Sequence, residues 1–265
     1  MLDIKHGTKT FLPGTPNAHI AMEDLNLHLE KGDFVTVIGS NGAGKSTLFN
    51  AVAGSFWLDE GQILLDGQDI TFMKEHKRAS MLGRLFQDPM KGTAPHMTIE
   101  ENLALAYSRS KRGRLSIAVK KEDTRLFRDA LKEFGMGLED RMNTQVGLLS
   151  GGQRQALTLL MSTIVVPKLL LLDEHTAALD PATAGKVMEI TNQIVNRNHL
   201  TTMMITHNIQ DALTTGNRTI MMDSGRIILD ISGKEREEMT VSRLMELYSQ
   251  SGAGTLDNDR MLLTK

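Results

Sequence analysis

The chain has 265 residues, enough for one or two domains, and its 40% hydrophobic content with 23 glycines is ordinary for a globular protein, which excludes collagen, low complexity and disorder as descriptions of the whole. With 30 basic against 32 acidic residues the net charge is -2, so no overall field draws the chain onto nucleic acid or an anionic membrane. The absence of Cys excludes a disulfide scaffold, thiol catalysis and Cys-ligated zinc, no secretory signal is expected at Met1-Leu2-Asp3-Ile4-Lys5-His6, and no run approaches the ~20 apolar residues of a membrane span.

Residues 34–38, Phe-Val-Thr-Val-Ile, are apolar and β-branched between Gly32-Asp33 and Gly39, which predicts a buried strand with a helix opening near Lys45. Between Gln87 and Ser150 the pattern turns helical and charged, and Thr98-Ile99-Glu100-Glu101 is a capping box for a helix through Leu103 and Leu105. Residues 109–125 hold seven Lys/Arg against two acids and read as a solvated helix face and loop, with a docking surface as the alternative. Residues 169–172 and 201–205 repeat the buried-strand pattern. The helical stretch 181–196 between them opens on Asp180 as N-cap and Pro181 as first helical residue. Strands alternating with helices predict a parallel sheet buried on both faces. Residues 218–222 and 226–230 flank the turn Asp223-Ser224-Gly225 and form a strand pair, and 249–258 are expected to be a mobile tail. The pairs Met203-Met204 and Met221-Met222 fall in strands and read as core. No internal repeat stands out.

Three motifs carry chemistry. Gly39-Ser40-Asn41-Gly42-Ala43-Gly44-Lys45-Ser46-Thr47 contains the phosphate-loop pattern between a predicted strand and helix, the place its mechanism requires. Its glycines let backbone amides surround phosphate oxygens, the helix N-terminus adds its dipole, Lys45 reaches the β- and γ-phosphates and Ser46 ligates magnesium. The strand 169–172 then delivers Asp173 to its polar end, to hold the magnesium shell, with Glu174 beside it to polarise a water. Two adjacent acids with distinct roles argue for hydrolysis. In Leu149-Ser150-Gly151-Gly152-Gln153, Ser150 and the amides of the two glycines open another helix suited to a γ-phosphate.

With this last run the chain resembles the ATP-binding subunits of ABC transporters, from Met1 to about Tyr248. The resemblance implies an α/β fold: a P-loop NTPase (RecA-like) core with a mainly parallel sheet, an antiparallel β subdomain and an inserted helical subdomain at about 89–150. It further implies a single nucleotide-binding domain over 1–248, a flexible C-terminal tail at 249–265, ATP and Mg2+ as cofactors, and a head-to-tail homodimer with two sandwiched ATP molecules. Ser150, Gly151, Gly152 and Gln153 of one subunit then complete the site of the other. Phe11 matches the aromatic that stacks on adenine, and Gln87 the residue joining the metal and attacking water to the helical subdomain. Ala177-Ala178-Leu179-Asp180 matches the loop that touches the opposite subunit, and His207 the residue that holds the γ-phosphate. His175 departs from the commonest pattern, in which Pro follows the catalytic Glu. Ala156-Leu157 and Leu160-Met161-Ser162 also depart, replacing Arg and Ala-Arg-Ala, and none of these changes removes a phosphate or metal ligand.

Three classes of protein share such a core: the energy-coupling subunit of a membrane transporter, a soluble ABC protein acting on DNA or the ribosome, and an unrelated phosphate-loop enzyme. The Leu-Ser-Gly-Gly-Gln run and the lack of Asn-Lys-x-Asp oppose the third. One nucleotide-binding unit without a long coiled coil or strong basic patch opposes the second, and no nucleic-acid partner is expected. A chain without membrane helices favours an importer with separate permease subunits, an extracytoplasmic substrate-binding protein and a peripheral place on the cytoplasmic face of the cell membrane. An exporter subunit is the alternative. Residues 92–103 and 173–181 look like a bacterial tryptophan/tyrosine-type uptake subgroup, which implies a small solute such as an amino acid as cargo.

Overall fold

The computed structural model describes residues 1–110 and 120–250. In chain order they form β1 (Leu2–Phe11), β2 (His19–Leu29), β3 (Phe34–Gly39), α1 (Lys45–Ala53), β4 (Glu60–Leu65), β5 (Gln68–Asp69), α2 (Glu75–Arg78) and β6 (Leu82–Leu85). There follow α3 (Ile99–Tyr107), α4 (Lys121–Lys132), α5 (Gly151–Thr163), β7 (Leu169–Asp173), α6 (Pro181–Asn198), β8 (Thr201–Ile205), α7 (Ile209–Thr214), β9 (Arg218–Asp223), β10 (Arg226–Ser232), α8 (Gly233–Glu237) and α9 (Val241–Gln250). The chain divides into two compact units, residues 1–79 with those from 201 onward, and Ser80–Leu200.

In the first unit β2, β1, β4 and β5 form an antiparallel sheet, while β3 lies parallel between β8 and β9, and β10 pairs antiparallel with β9. Every residue of β3 and β8 is buried, as a strand covered on both faces demands. Thr36, polar in the middle of β3, donates to Ala212 O at 2.8 Å and lies 2.9 Å from Thr219 Oγ1. The four strand methionines are core, from 0% to 2% exposed. One buried charge ties the elements together. Arg78, at the end of α2, donates to Ala51 O (2.7 Å), Val52 O (2.8 Å), Met73 O (2.8 Å) and Thr71 O (3.0 Å), so it caps carbonyls at the C-terminus of α1.

In the second unit β6 and β7 are parallel, with Leu82 opposite Leu169 and Leu85 opposite Leu172. Thr98 caps α3 in the expected box with Glu101. The buried Asn102 clasps the preceding loop, accepting from Ala94 N (2.8 Å) and donating to Ala94 O (3.0 Å) and Thr98 O (2.9 Å). The basic stretch needs a correction at its start. Arg109 is half-buried and donates to Ala106 O (3.0 Å) and Met161 O (2.6 Å), because its planar fork satisfies helix carbonyls that water does not reach. Lys120, Lys121 and Arg125 are exposed as expected, and 111–119 lie outside the described residues. Of the expected tail, Ser249 and Gln250 close α9, and the rest also lies outside the described residues. Among the described residues no helix is long and apolar enough to cross a membrane.

Candidate nucleotide-hydrolysis site

The phosphate loop joins β3 to α1 as the sequence predicts, and its shape is set by close backbone packing. Gly39 has φ 149° and Gly44 φ 97°; a Cβ on either would lie 2.2 Å from Met222 O or 2.5 Å from Ala21 O. Neither position has room for a side chain. Gly225 N donates to Ala43 O at 3.1 Å and Glu23 N to Gly225 O at 3.1 Å, so the β9–β10 turn and β2 brace the loop from behind. Lys45 is buried, and its Nζ donates to Gly39 O (2.7 Å) and Ser40 O (2.9 Å), spanning the loop. Helix α1 starts at Gly44 without a side-chain cap, and Asn41, Gly42 and Ser46 are exposed around that open end. Phe11 ends β1, is 38% exposed as a residue, and sets its ring edge-on to Phe56, at 5.3 Å between centroids. His207 sits half-buried on the turn after β8, between Thr206, whose N–H reaches Val37 O at 3.3 Å, and Asn208, which caps α7.

In the second unit the ends of β6 and β7 bring together two of the residues singled out in the sequence. Gln87 Nε2 donates to Glu174 Oε2 at 2.9 Å, across 87 positions of chain. Glu174 holds a left-handed backbone, φ 47°, unusual for a residue with a side chain and of a kind that clusters at functional sites. Asp173 immediately precedes it as the last residue of β7. Ser150 caps α5, accepting from Gln153 N at 3.3 Å, and Gln153 returns the bond to Ser150 N at 3.3 Å. Asp180 caps α6 through Thr183 N at 3.1 Å, and hydrogen bonds from Thr183 hold its carboxyl below the usual range. The two helix starts touch: a Cβ on Gly152 would stand 2.1 Å from Thr183 Cγ2.

His175 is 3% exposed, and burial lowers its pKa to about 4. Its Nε2 lies 3.2 Å from Thr191 Oγ1, whose hydroxyl already donates to Val187 O at 2.8 Å, so the ring is the donor and its proton sits on Nε2. The residue after Glu174 is thus tied to α6. A histidine between Glu and Thr gives no burial signal in sequence, so this role was not foreseeable.

A family model described as ABC transporter matches residues 22–177. The chain belongs to the ABC transporter family. It is 43% identical over 248 residues to the tyrosine transport ATP-binding protein of Clostridioides difficile (strain R20291), covering 94% of this chain and 98% of that one. It is 32% identical over 235 residues to the spermidine/putrescine import ATP-binding protein PotA of Haemophilus ducreyi, where the match covers 89% of this chain but 59% of the relative. Among solved structures, the ATP-binding cassette MJ0796, in a dimeric post-hydrolysis state bound to ADP and Pi, superposes with a TM-score of 0.76 at 27% identity, over 88% of this chain and 98% of that one. This ABC protein is therefore an α/β P-loop ATPase of the kind that powers transport, as its motifs imply.

Proposed function

We propose that this ABC ATPase drives a binding-protein-dependent importer of a small solute such as an amino acid. It works as a head-to-tail homodimer on integral permease subunits, at the cytoplasmic face of the membrane, with an extracytoplasmic substrate-binding protein in the same system. The tyrosine transport relative, matched over nearly its full length, supports the cargo class. The observation that carries the chemistry is the Gln87–Glu174 hydrogen bond. It fixes one carboxylate oxygen on a residue whose backbone is already in an unusual conformation, and a carboxylate so oriented retains acceptor capacity for the proton of an attacking water.

In this reading Phe11 stacks on adenine, the amides of Gly39, Ser40, Asn41, Gly42, Ala43, Gly44 and Thr47 with the Lys45 ammonium hold the phosphates, and His207 holds the γ-phosphate. Glu174 is the general base. Ser150, Gly151, Gly152, Gln153 and Asp180 act toward the opposite subunit's nucleotide, and the stretch of about 89–150 is the helical subdomain that meets the permease. Ser46, Gln87 and Asp173 would hold Mg2+. All three offer oxygen, the donor this hard cation requires, and because Gln87 donates through Nε2 its Oε1 remains an acceptor. When bound, Mg2+ neutralises phosphate charge and orients the γ-phosphoryl group.

Two variants test the assignment. Lys45→Ala should lose ATP binding in an equilibrium titration. Glu174→Gln keeps shape and hydrogen bonding but loses the base, so it should bind ATP, hydrolyse it more than about 100-fold slower and accumulate as an ATP-bound dimer in light scattering. Wild-type turnover by Glu174→Gln would remove Glu174 from the chemistry, and wild-type ATP binding by Lys45→Ala would remove the loop.

A further inference from the structure

Helix α9 reaches the phosphate loop by two routes. Its apolar residues recur at Val241, Leu244, Met245 and Tyr248, one face of a helix, and Leu244 and Tyr248 join a buried cluster with Ile38, Met221 and Ile231. Ile38 immediately precedes Gly39, so α9 supports the strand that feeds the loop. The second route is polar. The buried Tyr248 donates from its hydroxyl to Asp223 Oδ1 at 3.0 Å, Ser40 Oγ of the loop lies 3.5 Å from the same oxygen, and Ser224 Oγ donates to Asp223 Oδ2 at 2.9 Å. Burial raises the pKa of Tyr248, a hydrogen bond with the Ser40 side chain lowers it and the Asp223 contact raises it; the direction is upward, so the phenol stays protonated and remains a donor to Asp223.

A carboxylate beside a loop built for a polyanion is a liability unless it is held. Left to rotate, Asp223 would oppose phosphate charge and withdraw Ser40 from it; three hydroxyls around its two oxygens hold it in one orientation. We propose that Tyr248 is a positioning residue for the phosphate loop: directly and through Asp223 it fixes Ser40, and so helix α9 sets the affinity of the loop for the nucleotide triphosphate. This rests on the loop being the nucleotide site. The role is one of binding rather than bond cleavage, since none of the three residues supplies or takes the proton moved by Glu174.

The test uses the full chain and ATP titration with a fluorescent ATP analogue, alongside KM and kcat. Tyr248→Phe removes only the hydroxyl and keeps the ring on Ile38. Its Kd and KM should rise about three- to tenfold with kcat within about twofold. Asp223→Asn removes the charge that Tyr248 restrains and leaves the direct Tyr248–Ser40 contact, so adding Tyr248→Phe to Asp223→Asn should raise Kd by a clearly smaller factor than it does in the wild-type background. An unchanged Kd in Tyr248→Phe, or an equal loss in both backgrounds, overturns the proposal. So does a loss confined to kcat. Lys45→Ala in the same assay separates the two levels. If it abolishes binding while Tyr248→Phe has no effect, only the role of Tyr248 fails; if it binds ATP normally, the reading of the loop fails as well.

Discussion

His175 shows what a single substitution of type can do beside the proposed general base Glu174. Its neutral ring donates to Thr191, and burial holds its pKa at about 4 against an ordinary 6.5. Unfolding therefore takes up a proton at any pH between these values. The sign follows: the stabilisation is complete above pH 6.5, falls as the pH drops toward 4, and changes no further below, for a total of about 3 kcal/mol. Urea unfolding in EDTA at pH 7.5 and pH 5 should show wild type losing stability over this interval and His175→Gln losing about 1–2 kcal/mol less. Equal losses would mean that the ring takes up its proton over the same pH range in the folded as in the unfolded protein. Gln retains a donor for Thr191, so the comparison isolates titration from the hydrogen bond.

At the scale of elements, Arg78 links a four-residue helix to the helix that begins with Lys45. Arg78→Met would leave the carbonyls of Ala51, Val52, Thr71 and Met73 without their shared donor and should cost about 2–4 kcal/mol, read as a lower urea midpoint with an unchanged slope. A midpoint within error of wild type would show that water replaces the guanidinium. The sequence around it, Lys74-Glu75-His76-Lys77-Arg78, has the composition of a solvated surface, which is why this buried residue was illegible there. Legible elements were those whose determinants are local: the short buried runs of β3, β7 and β8, apolar or β-branched almost throughout, the caps at Thr98, Ser150 and Asp180, and the glycines of the phosphate loop. Strands β1 and β2 were hidden because bulges break the two-residue alternation, with His6 at φ 52° and Asp24 at φ 46°. The Gln87–Glu174 and Tyr248–Asp223 pairs join residues far apart in sequence, and only the folded chain shows that they meet.

Across the whole molecule the residues assigned to the nucleotide divide between the two units, with Phe11, the phosphate loop and His207 in one and Gln87, Asp173, Glu174, Ser150 and Asp180 in the other. The transport reading adds a surface to this division. Because the chain has no Cys, a single Met90→Cys variant carries one thiol, placed on the exposed side of the turn at Pro89–Gly92. In the assembled transporter it should crosslink to a permease subunit, while the isolated variant keeps ATPase activity within about twofold of wild type, as expected for a surface change. An assembled, active complex without that crosslink would place the permease elsewhere. The packing of Gly39 and Gly44 against the carbonyls of Met222 and Ala21 also bears on heredity. Any missense change of one base in a glycine codon introduces a residue with a Cβ, so neither position has a missense neighbour that preserves the loop. Lineages carrying this protein would keep both codons glycine whatever solute the transporter moves.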